Sequence, residues 1–211
     1  MSVDVKICGI LEQDALKAAI DGGARYAGFV FVPNSKRCIT PIMAHPLAEK
    51  AIPHMQTVGL FVNPSDEELL ATVKQVPLNI IQLHGHETPE RVSEVGVLTG
   101  LGVMKVIHVA KPEDLESVPS YENAADILLF DTKLGPLPTG GTGITFDWSL
   151  LKGKNFKKPW MLAGGINIGN IVRAVEETGA RIIDLSSGVE NETGQKDPEK
   201  IRTLLKLAKT L

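Results

Sequence analysis

Short apolar runs alternate with longer amphipathic stretches along the whole chain. Runs rich in β-branched and aromatic residues are typical of buried strands, and apolar repeats at helical spacing are typical of helices with one buried face. The pattern predicts an α/β protein with a parallel sheet. Strands are predicted at Asp4–Ile7, Tyr26–Phe31, Thr57–Phe61, Asn79–Leu83, Val103–Ile107, Ile127–Phe130, Trp160–Leu162 and Ile182–Leu185.

Helix boundary signals agree with this pattern. Ser65, Asp66 and Thr88 precede helical repeats, and Asp197 followed by Pro198 is typical of an N-cap with proline at the first helical position. Eight strands in 211 residues leave about 26 residues for each strand-helix unit, which fits a compact (β/α)₈ barrel. An open doubly wound sheet is the alternative, but evenly spaced units with polar strand ends favour closure. We predict a single (β/α)₈ TIM barrel domain over residues 1–211.

Composition narrows the class of protein. The chain is 43% hydrophobic, has a net charge of -3 and contains two cysteines. Such a chain can fill a core without a disulfide framework, and its charge argues against a nucleic-acid partner. No signal peptide is evident, and no apolar run approaches the roughly 18 residues of a membrane span. We expect a soluble cytoplasmic protein without a membrane or nucleic-acid partner.

Polar residues end most of the predicted strands. In a barrel, the chemistry lies at the carboxyl ends of the strands. Because side chains alternate along a strand, Gln82 and His84 face the barrel interior if their neighbours face the helices. The same parity directs Asp131 and Asp184 inward. These side chains are therefore candidates for one common site.

Cys8 ends the first strand and is followed by Gly9. A thiol at a barrel mouth can act as a base or a nucleophile once its pKa is lowered, and Lys6 on the same strand face is a source of positive charge. The alternative is a small buried apolar side chain, as in most free cysteines. Cys38 lies in a loop without this placement, and we assign it no role.

Asp131 ends an otherwise apolar strand, where a carboxyl group with a raised pKa is a candidate general acid. Pairing with Lys133, or capping of a turn, is the alternative. His84 and His86 have His-x-His spacing and, together with Cys8, are conceivable zinc ligands. No fourth ligand is evident, so we expect no metal.

Glycines lie in the loops after the last two strands, at Gly164-Gly165 and at Ser187-Gly188. Barrels often bind phosphate with these two loops, because bare backbone N–H groups converge there on the anion. A further glycine cluster, Gly140–Gly143, follows Asp131. It is either a flexible cover over the site or an ordinary long loop.

Seven blocks of sequence, taken in order, resemble one enzyme family over essentially the whole chain. The family is the phosphoribosylanthranilate isomerases of tryptophan biosynthesis. Any one block would be weak evidence, whereas seven in sequence are strong. The blocks are Lys6–Gly9, Asn34–Arg37, Gln82–Gly85, Phe130–Lys133, Gly140–Gly143 with Phe146–Trp148, Leu162–Gly165 and Asp184–Glu190.

The resemblance implies a (β/α)₈ barrel that catalyses an Amadori rearrangement without a cofactor. N-(5-phosphoribosyl)anthranilate, a phosphosugar, becomes 1-(2-carboxyphenylamino)-1-deoxyribulose 5-phosphate. The resemblance makes Cys8 the general base and Asp131 the general acid, and it directs Arg37 to the anthranilate carboxylate. It implies that His84 and Asp184 line the substrate site. It implies a phosphate site at Gly164, Gly165, Ser187 and Gly188.

Some expectations stay open. A thiol base needs only partial ionisation, so we expect a modest lowering of the Cys8 pKa by Lys6 or by the phosphate-site dipoles. After Gly165 the family often continues Leu-Thr-Pro-Glu-Asn, whereas this chain has Ile166–Asn170. Other barrel isomerases or epimerases of phosphosugars, and a phosphometabolite-binding or redox-sensing protein, are the alternative functions. Both a monomer and a homodimer are compatible with the sequence.

Overall fold

The computed structural model describes residues 2–132 and 145–211. Eight strands form a closed barrel in sequence order, and each strand is parallel to both neighbours, including β8 with β1. The closed sheet confirms the predicted barrel and excludes the open doubly wound alternative. The strands are β1 (Asp4–Cys8), β2 (Tyr26–Val30), β3 (Gln56–Phe61), β4 (Ile80–Leu83), β5 (Gly102–Val109), β6 (Ile127–Thr132), β7 (Trp160–Leu162) and β8 (Ile182–Leu185).

The helices surround the sheet. One unit differs from the repeating pattern, because the described residues between β6 and β7 hold a short 3-10 helix, Trp148–Leu151, and no α-helix. Asp147 caps this turn by accepting a hydrogen bond from the Ser149 N–H at 3.0 Å. No helix in the described ranges is long and apolar enough to span a bilayer. The α-helices are α1 (Gln13–Gly22), α2 (Pro41–Ala51), α3 (Asp66–Gln75), α4 (Pro89–Thr99), α5 (Val118–Ala124), α6 (Ile171–Thr178) and α7 (Pro198–Ala208).

Several helices begin at the predicted signals. The Ser65 side chain accepts a hydrogen bond from the Glu68 N–H, and the Glu68 carboxylate accepts one from the Ser65 N–H, which forms a capping box. The Asp197 carboxylate accepts hydrogen bonds from two N–H groups of α7, with Pro198 at the first helical position. Such caps satisfy backbone donors that the helix itself leaves unpaired. They fix the turns that lead into α3 and α7.

The core has two layers. The larger layer lies between the strands and the helices, and the smaller one fills the barrel interior. Because side chains alternate along a strand, Gln82 and Asp131 face the same side as these interior residues, as the parity argument predicted. The interior is formed mainly by Tyr26, Val58, Ile80, Met104, Val106, Leu129, Met161 and Ala163.

Candidate active site

A cavity opens at the carboxyl ends of the strands. All the predicted site residues except Gly188 lie in its lining, although they come from opposite ends of the chain. The fold therefore brings the candidate base, acid, substrate-binding and glycine-loop residues together. The lining is Cys8, Val30, Val32, Ser35, Arg37, Leu60, Val62, Gln82, His84, Asp131, Ala163, Gly164, Gly165, Ile166, Asp184, Ser186 and Ser187.

Cys8 lies beside a buried ion pair. Lys6 Nζ is 2.8 Å from Asp184 Oδ1, and the Lys6 side chain has no exposed surface. Gly28 on the adjacent strand leaves room for this group. A Cβ atom at that position would lie 3.1 Å from Cys8 Sγ and 3.3 Å from Lys6 Nζ. Sequence parity correctly placed Lys6 below Cys8, but it did not predict the contribution of Gly28.

The Cys8 thiol is harder to ionise than the sequence analysis expected. Burial raises the pKa of Cys8, and the negative charge of Asp184 adds to the rise. The positive charges of Lys6 and Lys196 lower the pKa without overcoming these effects. The expected lowering of the Cys8 pKa is therefore wrong for this protein, because the desolvation of the thiol outweighs the attraction of its cations. At neutral pH the thiol is mostly protonated.

Asp131 lies in β6, and it holds its proton more tightly than an ordinary surface carboxyl group does. Burial raises the pKa of Asp131 to about 7, and the charge of Asp184 acts in the same direction. The Thr132 N–H donates a hydrogen bond to Oδ1 at 2.7 Å and partly opposes the rise. A carboxyl group with this pKa carries a proton that it can donate near neutral pH. Lys133, the alternative partner, lies outside the described residues.

His84 is a neutral neighbour of Asp131. Its Nε2 atom is 3.5 Å from Asp131 Oδ2, and burial lowers the pKa of His84 to about 3, with His108 adding to the decrease. The pair is therefore a contact between an uncharged imidazole and a carboxyl group. On the other side of the ring, Gln82 Nε2 lies 3.1 Å from His84 Nδ1. Gln82 Oε1 is buried without a hydrogen-bond partner among the described residues.

Two other candidates from the sequence lie outside this cavity lining. The side chains of Cys38 and His86 are both exposed. In residues 2–132 and 145–211 there is no group of three or more side chains that could hold a metal ion. The structure thus does not assemble the conceivable zinc site. The Gly140–Gly143 cluster lies outside the described residues.

Arg37 reaches the cavity from the loop after β2. Gly9 has a φ of +78°, and a Cβ atom there would lie 2.7 Å from Arg37 Cδ, so the glycine makes room for the arginine stem. The guanidinium donates two hydrogen bonds to Glu190, from Nε to Oε1 at 2.6 Å and from Nη2 to Oε2 at 2.9 Å. No local sequence pattern identifies this partner, because the two residues are 153 positions apart.

The two glycine loops lie at one side of the mouth. Gly164 and Gly165 have φ values of +87° and +65°, which favour glycine. A Cβ atom at Gly188 would lie 2.0 Å from Ile166 O, so the two loops touch there. Within the described residues, the N–H groups of Gly164, Gly165, Ser187 and Gly188 donate no hydrogen bond. Such N–H groups are suited to an anion.

The segment after Gly165 departs from the family pattern but still organises the loop. The side-chain amides of Asn167 and Asn170 both donate to the Gly165 carbonyl, at 3.2 and 3.0 Å. The side-chain oxygen Oδ1 of Asn170 accepts a hydrogen bond from the Asn167 N–H at 2.8 Å. These contacts hold the loop between β7 and α6 without the proline of the usual pattern.

Comparisons with known proteins point to one family. The sequence profile described as "N-(5'phosphoribosyl)anthranilate (PRA) isomerase" matches residues 5–207. An N-(5'-phosphoribosyl)anthranilate isomerase from Paracoccus denitrificans is 50% identical over 208 residues, covering 97% of this chain and 96% of the relative. A similar enzyme from Rhodospirillum centenum is 48% identical over the full length of both chains.

Solved structures agree with the sequence comparisons. Monomers of a dimeric phosphoribosylanthranilate isomerase from Thermotoga maritima superpose with a TM-score of 0.86 and 35% identity, covering 99% of this chain and 100% of that one. A phosphoribosylanthranilate isomerase in complex with reduced 1-(o-carboxyphenylamino)-1-deoxyribulose 5-phosphate gives a TM-score of 0.85 and 34% identity, with the same coverage.

Proposed function

Because this chain belongs to the N-(5′-phosphoribosyl)anthranilate isomerase family and is such an isomerase of tryptophan biosynthesis, we propose that Cys8 is its general base and Asp131 its general acid. The observation that carries this assignment is that Cys8 and Asp131 line one cavity at the carboxyl ends of the strands, where burial raises the pKa of Asp131 to about 7. A carboxyl group in this state can give a proton to an oxygen, and a thiolate can take one from a carbon.

The first step is the opening of the furanose ring. The protonated Asp131 carboxyl group donates its proton to the ring oxygen of N-(5-phosphoribosyl)anthranilate. The bond between C1′ and that oxygen breaks, and the anthranilate nitrogen forms a double bond to C1′. The products of this step are a C4′ hydroxyl group, a protonated Schiff base and an ionised Asp131. His84 Nε2 lies 3.5 Å from Asp131 Oδ2, next to the carboxyl group that gives up the proton.

The second step is the removal of the C2′ proton by the Cys8 thiolate. The electron pair of the C2′–H bond flows toward the iminium nitrogen and gives an enolamine, which tautomerises to the ketone. The iminium cation draws the electron pair from C2′, and it also acts on Cys8, whose pKa is raised in the free protein. A positive charge next to a buried thiol stabilises the thiolate. The iminium cation thus stabilises the Cys8 thiolate that takes up the C2′ proton.

Both ends of the substrate have a matching group in the cavity. Arg37 is the group for the anthranilate carboxylate, since a guanidinium is suited to planar two-point contacts with carboxylates. The N–H groups of the two glycine loops have no acceptor within the part of the chain that the structure describes, and they are suited to the phosphate. His84 and Asp184 line the space between these ends. No metal ion or organic cofactor takes part in either step.

The activity is tested directly by turnover. We expect the purified protein to quench the fluorescence of phosphoribosylanthranilate generated in situ, without added metal. A chelator is expected to leave the rate unchanged, because both proton transfers use side chains alone. A folded protein without activity would overturn the assignment and would favour a phosphometabolite-binding or thiol redox-sensing role.

Arg37→Ala is expected to raise KM and to change kcat little. The proposed partner of Arg37 is a carboxylate remote from the reacting carbons, so its loss weakens binding in the ground state and in the transition state alike. A charge-assisted hydrogen bond predicts an effect of about 10- to 100-fold. Steady-state kinetics measure it, with Lys36→Ala as the control, since Lys36 is exposed and adjacent in sequence. An unchanged KM in Arg37→Ala would argue against the contact.

We infer a cytoplasmic location and leave the assembly as a monomer or a homodimer. The reaction's place in amino-acid biosynthesis supports the cytoplasm. The solved Thermotoga maritima relative is described as dimeric, which makes a homodimer a reasonable proposal. Light scattering coupled to size exclusion distinguishes the two states.

A further inference from the structure

The loop after β8 folds back on itself and places a lysine opposite Glu190. Glu190 and Lys196 face each other across an isolated antiparallel bridge. The turn between them is closed by a hydrogen bond from the Asn191 N–H to the Gln195 carbonyl at 2.8 Å, and Gly194 has a φ of +82°. A glycine adopts this left-handed conformation without the strain of a side chain. The turn at residues 191–195 therefore places Lys196 next to Glu190.

Lys196 shares one carboxylate with Arg37. Lys196 Nζ is 2.5 Å from Glu190 Oε1, the same oxygen that accepts a hydrogen bond from Arg37 Nε at 2.6 Å. The exposed fractions of the three side chains are 16% for Arg37, 8% for Glu190 and 3% for Lys196. Of the three, only Arg37 lines the cavity. Glu190 and Lys196 do not line it.

The net charge of Arg37, Glu190 and Lys196 determines whether the cluster attracts a substrate carboxylate. Arg37 and Glu190 alone form a neutral pair, and the carboxylate of Glu190 would repel a second carboxylate beside it. Hydrogen bonds from Arg37 and Lys196 lower the pKa of Glu190 against the effect of its burial, so it is ionised. Lys196 restores one net positive charge to the cluster. At an effective dielectric constant near 20, such a charge acts strongly over several ångströms.

We propose that Lys196 is a positioning residue for the substrate's aromatic carboxylate, acting through Glu190 on Arg37. Glu190 holds the guanidinium in one orientation. Lys196 keeps the cluster net positive, so that Arg37 can bind the carboxylate. This inference rests on the proposed contact between Arg37 and that carboxylate. Lys196 Nζ also lies 3.4 Å from Ser186 Oγ, whose hydroxyl donates to the Cys8 carbonyl at 3.2 Å, so the cluster adjoins the end of β1.

The test combines two ligands with two lysine variants. The ligands are reduced 1-(o-carboxyphenylamino)-1-deoxyribulose 5-phosphate and the same compound without its carboxyl group. We expect Lys196→Met to weaken binding of the first ligand by about 10-fold and to leave binding of the second within about 2-fold. KM for the substrate should rise with the first ligand's Kd. A separate decrease in kcat is expected, because the positive charge of Lys196 lowers the pKa of Cys8. Calorimetric titration measures both affinities.

Lys200→Met is the matched control. Lys200 Nζ contacts the backbone carbonyl of Glu190 at 2.7 Å and is exposed, so this variant removes an equal charge close by without touching the carboxylate. We expect it to leave both affinities unchanged. Lys196→Arg should retain most of the affinity for the carboxylated ligand. The double variant Glu190→Gln with Lys196→Met should recover part of the affinity lost in Lys196→Met, because Arg37 and the neutral residue 190 then together carry one positive charge.

The outcomes separate this inference from the proposed function. Turnover by the wild-type protein establishes the activity independently of any lysine variant. An equal decrease in affinity for both ligands in Lys196→Met would mean a merely structural role and would overturn the inference. A decrease in Lys200→Met as large as that in Lys196→Met would also overturn it. If Lys196→Met does not fold, Lys196→Gln, which keeps a polar group without the charge, is measured in its place. Unchanged affinity of either folded variant for the carboxylated ligand would also overturn it.

Discussion

Replacing Cys8 with serine is expected to lower kcat by roughly 10²–10⁴-fold, the range of a lost general base. A hydroxyl group is similar in size to the thiol but far harder to ionise, so it cannot take up the C2′ proton. We expect the lysine and the aspartate beside Cys8 to stay in place, because Lys6 Nζ also pairs with Asp184 Oδ1 at 2.8 Å. Steady-state kinetics with a fluorescent substrate measure the change, and thermal unfolding confirms that the fold is retained.

The second cysteine provides the control. Cys38 is exposed and does not line the cavity, so Cys38→Ser is expected to keep the wild-type kcat. The two variants make the same chemical change in one chain, and only their positions differ. A near-wild-type kcat in Cys8→Ser would falsify the assignment of the base. It would mean that another group, or water, removes the proton.

The sequence predicted the fold well because barrel strands have a strong local signal. All eight predicted strands exist, and no boundary differs by more than two residues, as where β6 extends to Thr132. Parity along β4 and β6 then placed His84 and Asp131 at the mouth correctly. The exception is the connection from β6 to β7, where the described residues form a short 3-10 helix. The alternation of strand and helix patterns did not predict that the described residues between β6 and β7 would lack an α-helix.

The site was less predictable because its energetics depend on long-range contacts. Lys6 and Asp184 are 178 positions apart, and no local pattern predicts their contact. The block that ends in Glu190 carries a family resemblance, but nothing in it identifies Arg37 as the partner. Lys196 gave no signal at all. The direction of the Cys8 pKa shift was wrong for the same reason, because desolvation depends on the residues packed around the thiol in three dimensions.

The order of the two catalytic pKa values determines the pH dependence. The pKa of Asp131 is raised to about 7, and burial raises that of Cys8 above the ordinary thiol value. When the pair holds one proton, the thiol therefore carries it most of the time. The reactive form, with a protonated Asp131 and an ionised Cys8, has the same proton count and is a minor fraction of this population. We expect kcat/KM to rise as pH increases through about 7 and to fall only near the pKa of Cys8.

Asp131→Asn is expected to lower kcat by roughly 10²–10⁴-fold, because the amide has the same shape but no proton to donate to the ring oxygen. The rise of kcat/KM near pH 7 should vanish from the residual activity, since Asp131 is the group that titrates there. Stability provides a second readout. A carboxyl group whose folded pKa is raised loses stabilising free energy as pH rises through that pKa, and an amide does not. The variant should therefore unfold at no lower temperature than the wild type at about pH 8. A retained kcat, or a retained limb near pH 7, would show that another group protonates the ring oxygen.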